Sequence, residues 1–132
     1  MVVAESSDTP HAAYDRYVHA VLNRDYAQFA RSVTAGETFH FIDQRGTRTD
    51  SRRDYLDRHR LWFGQAGWDI AYESPLIAQL GDTAYAMAVF HLRERGPSGT
   101  PERLDAYFTL VMVKENDEWR AVADIVTPIA PK

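Results

Sequence analysis

The sequence contains no cysteine among its 132 residues, which excludes both a disulfide framework and a thiolate metal site. It has no apolar run of about 18 residues, so it predicts no membrane-spanning helix. A basic surplus is also missing, since the formal net charge is -4, and this argues against a general nucleic-acid-binding protein. The opening segment MVVAESSDTP resembles no secretory signal, so we expect a cytoplasmic protein that contacts no membrane.

The length and the hydrophobic content predict one domain. A chain of 132 residues that is 45% hydrophobic can bury one core and is too short for two. We expect a flexible N-terminus over residues 1–8, a single domain over 9–128 and a short tail over 129–132.

The stretch from Asp82 to Thr127 predicts a three-stranded antiparallel meander. Its runs of Val, Tyr, Phe, Thr and Ile are separated by a loop with Gly and Pro and by a polar turn. The side chains of the middle strand point alternately to two faces. One face is apolar, and the other mixes aromatic, hydroxyl and charged groups. We expect this mixed face to line a cavity. Its members include Arg103, Asp105, Tyr107 and Thr109.

The N-terminal part predicts three amphipathic helices. Thr9 can cap the first, with Pro10 at its first helical position, and the second follows Asp25. Asp50 or Ser51 caps the third, and short extended segments separate it from its neighbours. The order α-α-β-α-β-β-β-β predicts an α+β fold, with three helices packed on one face of a curved, mostly antiparallel sheet.

These elements together resemble a known superfamily. The features that carry the resemblance are the Arg24-Asp25 step after the first helix, the D-x-x-G sequence from Asp43 to Gly46, and the final strand W-R-A-V-A-D. The chain is similar to NTF2-like proteins, and within them to SnoaL-like and ketosteroid-isomerase-like proteins. The resemblance implies a cone with a pocket between the concave sheet and the helices. Such cones host isomerases, dehydratases and polyketide cyclases, and also binding and assembly modules.

The resemblance also implies roles for particular residues. Ketosteroid isomerases carry, on their first helix, a tyrosine that donates to the substrate oxyanion, and Tyr17 matches it. Their first strand ends in an aspartate that shuttles a proton, and Asp43 matches that residue. The chain has Thr109 where the isomerases place a protonated aspartate. The family's epoxide hydrolases have a carboxylate where this chain has Ala121, which disfavours epoxide hydrolysis.

Two carboxylates are candidate bases. A carboxylate at the mouth of an aromatic pocket is desolvated, so its pKa rises toward neutrality. Asp43 either plays this part or caps the turn that follows it. Asp124 shares a strand face with Val122 and Val126, which we expect to look into the pocket. We expect its partner to be on a neighbouring strand: Arg103, Tyr107, Thr109 or His91.

Histidines and aromatic residues complete the predicted pocket. His40, His59 and His91 follow no metal-binding spacing, so we predict no metal site and assign them to tuning or relaying protons. Four aromatic side chains are predicted to form core or pocket wall and to suit a flat, apolar ligand. They are Trp62, Trp68, Tyr72 and Tyr85, and Tyr14 is also predicted to bind the substrate.

The sequence therefore predicts a small enzyme that needs no cofactor and acts on a hydrophobic, carbonyl-containing metabolite. The expected chemistry is proton transfer, as in isomerisation, polyketide-type cyclisation or dehydration, and it suggests secondary metabolism. Asp43, Asp124, Tyr17 and His91 are the predicted catalytic residues, with Thr109 or Tyr107 assisting Tyr17. The alternative is a non-catalytic ligand-binding or oligomerisation module. A homodimer is predicted in either case.

Overall fold

The computed structural model describes residues 8–96 and 98–130. It contains three helices and six strands, in the order α-α-β-β-α-β-β-β-β. The helices are α1 (Pro10–Leu22), α2 (Tyr26–Arg31) and α3 (Arg52–Phe63). The strands are β1 (Thr38–Ile42), β2 (Arg48–Ser51), β3 (Trp68–Leu80), β4 (Thr83–Arg95), β5 (Pro101–Glu115) and β6 (Glu118–Pro128).

The helix starts follow from their capping residues. Thr9 accepts a hydrogen bond from the backbone N–H of Ala12, with Pro10 at the first helical position. Asp25 caps α2, and Ser51 caps α3 by accepting from the backbone N–H of Asp54. The predicted cap Thr9 is confirmed, and of the two candidates for α3 the cap is Ser51 and not Asp50.

The six strands form one curved, mixed sheet in the order β2-β1-β6-β5-β4-β3. All neighbours are antiparallel except β1 and β6, which are parallel. The α+β prediction is confirmed, with one addition. β2 was missed because its sequence, Arg-Thr-Asp-Ser, is short and polar, and it lies at the sheet edge where burial does not impose an apolar pattern.

The inner face of β5 is apolar. Ala106, Phe108, Leu110 and Met112 of β5 are buried against the helices. The mixed face is on the other side of the sheet, where Tyr107 is 50% exposed. The prediction that the mixed face lines the cavity is therefore wrong, because burial of the apolar residues of β5 on the inner side turns the mixed face outward. Arg103, Asp105, Tyr107, Thr109 and His91 all lie on the outer face.

An irregularity in the pairing of β5 with β6 determines which residues of β6 face inward. The register shifts between Val111 and Met112, so Val122 has no direct partner on β5. Asp124 pairs with Leu110 and Val126 with Phe108, so both share the buried inner face. The expectation that Val122 shares their face is wrong because of this bulge.

The N-terminal boundary differs slightly from the prediction. Residues 1–7 of the predicted flexible N-terminus lie outside the described residues, as do 131–132 of the predicted tail. Asp8 is held in place, since it accepts hydrogen bonds from the Arg16 guanidinium at 2.6 and 2.9 Å and from the backbone N–H of Trp119 at 2.7 Å.

None of the described helices is long and apolar enough to cross a membrane. The homodimer stays a prediction.

Candidate active site

A cavity of about 370 Å³ lies between the concave face of the sheet and helices α1 and α3. This is within the usual size range of small-molecule sites. Its interior is mainly apolar and aromatic, and polar side chains gather at its rim. The residues that line it are Tyr17, Val21, Phe41, Gln44, Arg45, Arg58, His59, Leu61, Trp62, Gln65, Ile70, Tyr72, Phe90, Leu92, Glu94, Leu104, Phe108, Asp124 and Val126.

Asp124 is the buried carboxylate of this cavity, with 3% of its surface exposed. Its Oδ2 accepts hydrogen bonds from the Tyr55 hydroxyl at 2.7 Å and from the Tyr17 hydroxyl at 3.2 Å. Its Oδ1 is buried and has no hydrogen-bond partner among the described residues. One oxygen is thus held by the protein, and the other has no hydrogen-bond donor among the described residues.

The environment of Asp124 favours its neutral form. Burial raises its pKa to about 7, although the hydrogen bonds from Tyr55 and Tyr17 and the charge of Arg58 act in the opposite direction. Burial and the charge of Asp124 together raise the pKa of both tyrosines well above the usual range. Both hydroxyls therefore keep their protons and act as donors near neutral pH.

The two tyrosines come from different helices and are fixed by aromatic packing. The Tyr17 and Tyr55 hydroxyl oxygens are 2.5 Å apart. The Tyr55 ring stacks on Phe39 of β1 at 3.9 Å between centroids and contacts Phe29 of α2. Tyr55 lies on the buried face of α3, and the sequence analysis assigned it no function. The available signal was its spacing, one helical turn before His59.

Asp43 lies outside the cavity and is fully engaged elsewhere. Its Oδ1 accepts from the backbone N–H groups of Arg45 and Thr47, both at 2.9 Å, and its Oδ2 pairs with Arg58 at 2.8 Å. Burial alone would raise its pKa, but the hydrogen bonds from Arg58, Thr47 and Arg45 hold the pKa below its usual value. The structure therefore favours the turn-capping alternative for Asp43 over the role of base.

Replacement of Asp43 by alanine is expected to lower the free energy of unfolding by about 2–3 kcal/mol, because two backbone N–H groups and a guanidinium lose their acceptor. The decrease in the free energy of unfolding has its full size at neutral pH. It becomes smaller as the pH falls below 3.8, because Asp43 is then protonated in the unfolded chain. Urea denaturation at pH 7 and pH 3 measures it. An unchanged midpoint at pH 7 would contradict this structural role.

The other predicted histidines lie away from the cavity. His91 sits on the outer face between Asp105 and Glu73, at 2.6 and 3.1 Å, and these hydrogen bonds raise its pKa. His40 is an exposed residue of β1 whose Nδ1 lies 3.0 Å from Asp50. The prediction that His91 and His40 face the pocket is wrong, because their strand positions alternate with the buried ones.

Trp62, Tyr72 and Val126 line the cavity as predicted, together with Tyr17, His59 and Asp124. Trp68 does not reach it. Its ring stacks behind Trp62 at 3.9 Å between centroids and borders a separate surface cleft. Tyr14 is buried in the core, which raises its pKa to about 12, and it does not line the cavity.

The described residues include no group of three or more His, Cys, Asp or Glu side chains placed to hold a metal ion. The cavity brings together the buried carboxylate of Asp124, the hydroxyls of Tyr17 and Tyr72 and the imidazole of His59, while Tyr55 donates to Asp124 from outside the lining. This arrangement can take up, hold and return a proton next to an apolar ligand.

Comparison with solved structures confirms an NTF2-like cone. A proposed dehydratase of the NTF2-like family from Streptomyces avermitilis superposes with a TM-score of 0.77 at 13% identity, over 92% of this chain and 94% of that one. A proposed ketosteroid isomerase from Shewanella frigidimarina gives 0.71 at 19% identity, over 86% and 90%. A proposed calcium/calmodulin-dependent protein kinase type II association domain from Thiobacillus denitrificans gives 0.69 at 20% identity, over 93% and 97%.

These identities are low, so the likeness establishes the shared fold and leaves the activity open. No curated protein matches the sequence significantly. The family model described as SnoaL-like domain matches residues 11–124, which is most of the chain. The protein therefore belongs to the SnoaL-like domain family.

Proposed function

We propose that the protein is an enzyme that moves a proton on a hydrophobic carbonyl compound, with Asp124 as the general base. The observation that carries the proposal is the unpartnered Oδ1 of Asp124, buried at a cavity large enough for a small molecule. An unsatisfied polar atom in a folded core costs about 1–3 kcal/mol, so it needs an explanation. A reacting substrate supplies one.

The protonation state of Asp124 suits a base near neutral pH. Its pKa of about 7 leaves about half of the Asp124 carboxyl groups ionised at pH 7. The raised pKa also makes the ionised carboxylate a stronger base toward a C–H proton of the substrate. Tyr55 and Tyr17 fix the carboxylate through Oδ2, so that Oδ1 is the oxygen that meets the substrate. Tyr17 touches the cavity itself, whereas Tyr55 acts through Asp124 as a positioning residue.

Tyr72 supplies the group that we assign to the carbonyl oxygen of the substrate. Its side chain lines the cavity, and its hydroxyl makes no hydrogen bond with the described residues. Burial and the charge of Asp124 raise the pKa of Tyr72, so it stays protonated and donates. This hydroxyl replaces Thr109 and Tyr107, which lie on the outer face and cannot assist Tyr17 as the sequence analysis proposed.

The proposed step begins when Asp124 removes a proton from the carbon beside the carbonyl group. The C–H bond breaks, the proton moves to Oδ1, and the electron pair forms an enolate whose oxygen accepts a hydrogen bond from Tyr72. Return of the proton to another carbon gives isomerisation. Attack of the enolate on a second carbonyl gives cyclisation, and loss of a β-hydroxyl as water gives dehydration.

The alternative function, a non-catalytic binding or oligomerisation module, is suggested by the similarity to an association domain. The cavity and its unpartnered carboxylate oxygen favour catalysis, since a non-catalytic module with a filled cone would need neither.

A direct test of the proposed function measures deuterium exchange at the α-carbon of 2-tetralone, a flat bicyclic ketone, by NMR in D₂O. We expect enzyme-dependent exchange. A rate equal to that in buffer alone would contradict the proposal.

Replacement of Tyr55 by phenylalanine is expected to shift the pH dependence of exchange. The Tyr55 hydrogen bond lowers the pKa of Asp124, so its loss raises that pKa, and the acidic limb of the pH–rate profile moves to higher pH. Exchange at pH 6 should fall more than exchange at pH 9.

A pH–rate profile for wild type and for Tyr55→Phe measures this shift, and Tyr14→Phe is the matched control. Tyr14 is a buried tyrosine outside the cavity, so its profile should stay at the wild-type position. Equal profiles for all three proteins would remove Tyr55 from the site.

A further inference from the structure

His59 presents one defined ring nitrogen to the cavity. Its Nδ1 lies 2.8 Å from the backbone carbonyl oxygen of Tyr55, one helical turn earlier. A carbonyl oxygen only accepts hydrogen bonds, so Nδ1 carries the hydrogen and donates it. In the neutral imidazole, Nε2 therefore holds the lone pair and is an acceptor.

The surroundings of His59 offer Nε2 no partner. The ring is enclosed by aromatic side chains, with Phe29 at 4.9 Å, Phe41 at 5.5 Å and Trp62 at 5.9 Å between centroids. Nε2 makes no hydrogen bond with the described residues, although His59 lines the cavity. Burial lowers the pKa of His59 to about 4, against a smaller opposing effect of the Tyr55 carbonyl. The ring is therefore neutral at pH 7.

The acceptor and the carboxylate line the same cavity, His59 from α3 and Asp124 from β6. The rings of Tyr55 and His59 are 4.3 Å apart between centroids, and the Tyr55 hydroxyl donates to Asp124. One ligand in the cavity can therefore contact both His59 and Asp124. A hydroxyl donates a hydrogen without bringing a charge, so it suits an acceptor that aromatic rings enclose.

We propose that Nε2 of His59 accepts a hydrogen bond from a hydroxyl group of the ligand, so that the substrate is a hydroxylated carbonyl compound. The carbonyl part of this inference rests on the proposed function. The hydroxyl part rests on the His59 geometry alone.

The test compares the affinity of 2-tetralone with that of its derivatives that carry one hydroxyl group on the aromatic ring, the isomers differing in its position, by isothermal titration calorimetry at pH 7. Hydroxyl and carbonyl lie on different rings, so they do not bond to each other. At least one isomer is expected to bind wild type about 5- to 10-fold more tightly than 2-tetralone, as one added neutral hydrogen bond provides. No preference for any isomer would overturn the inference.

Three substitutions separate the acceptor from the rest of the ring. His59→Asn retains a donor near the Nδ1 position but places no acceptor near the Nε2 position, and His59→Phe retains a ring and removes both groups. Each is expected to reduce the preference to less than about twofold. His59→Gln places an amide oxygen near the Nε2 position and is expected to restore part of it. A full preference in His59→Asn would overturn the inference.

Asp124→Asn distinguishes this inference from the proposed function. If the hydroxyl preference depends on His59 while Asp124→Asn still exchanges deuterium, the proposed base is wrong and the acceptor stands. If exchange requires Asp124 and no hydroxyl preference exists, the acceptor is wrong and the base stands. ¹⁵N NMR of the free protein gives an independent check, since an Nε2–H tautomer of His59 at pH 7 would also overturn the inference.

Discussion

Replacement of Asp124 by asparagine is expected to lower the rate of α-proton exchange in 2-tetralone by about 100- to 10,000-fold, the usual contribution of a general base. The amide has almost the same shape as the carboxyl group and can still accept from Tyr55 and Tyr17. It cannot take a proton from carbon. The loss should therefore appear in the turnover rate at saturating ketone, with ligand affinity little changed.

The matched control is Asp43→Asn. It makes the same carboxylate-to-amide change at an equally buried aspartate, 3% exposed, that does not line the cavity. Its exchange rate should stay within a few-fold of wild type once folding has been verified by circular dichroism. Comparable rates in wild type and Asp124→Asn, or a loss confined to Asp43→Asn, would contradict the assignment of the base.

The same Asp124→Asn substitution is expected to stabilise the protein, and to do so only at high pH. Asp124 has a folded-state pKa of about 7 against an ordinary value of 3.8, so folding favours the protonated form. Below about pH 4 the group is protonated in both states and costs nothing. Between pH 4 and 7 only the unfolded state ionises, so the free energy of unfolding falls, and above pH 7 the loss is constant.

The loss above pH 7 has an upper limit of about 4 kcal/mol, from the difference between the two pKa values. Asparagine resembles the neutral acid and does not incur it. We therefore expect Asp124→Asn to exceed wild type by about 2–4 kcal/mol at pH 8 and by less than about 1 kcal/mol at pH 4.5. Urea denaturation at both pH values measures the difference. A difference that does not depend on pH would contradict a buried, ionisable Asp124.

Replacement of Asp43 is expected to destabilise the protein, whereas replacement of Asp124 is expected to stabilise it at high pH. Asp43 has three hydrogen-bonding partners and stabilises the fold in its charged form, whereas Asp124 has two tyrosines on one oxygen and none on the other. The fold retains a carboxylate that a neutral amide would improve, as expected where function opposes stability.

The sequence predicted the architecture because local signals and burial agree along most of the chain. The caps at Thr9, Asp25 and Ser51, the meander and the buried helical stripes all favour the same α+β layout. Asp124 was identified because a carboxylate in an apolar strand is conspicuous.

The predictions that failed depended on which side of the sheet is concave. Alternation along β5 separates two faces but does not say which one the helices cover, so Tyr107 and Thr109 were placed on the wrong side. Tyr55 was missed because a tyrosine on a buried stripe usually belongs to the core. Its role depends on Asp124, which is 69 residues away in sequence and meets it only through the fold.

The titration of Asp124 itself tests the central claim most directly. The ¹³Cγ resonance of Asp124, assigned by its absence in Asp124→Asn, reports ionisation of this one carboxyl group as the pH is varied. The account predicts a midpoint near pH 7. A midpoint below about pH 5, close to the ordinary value for aspartate, would contradict it.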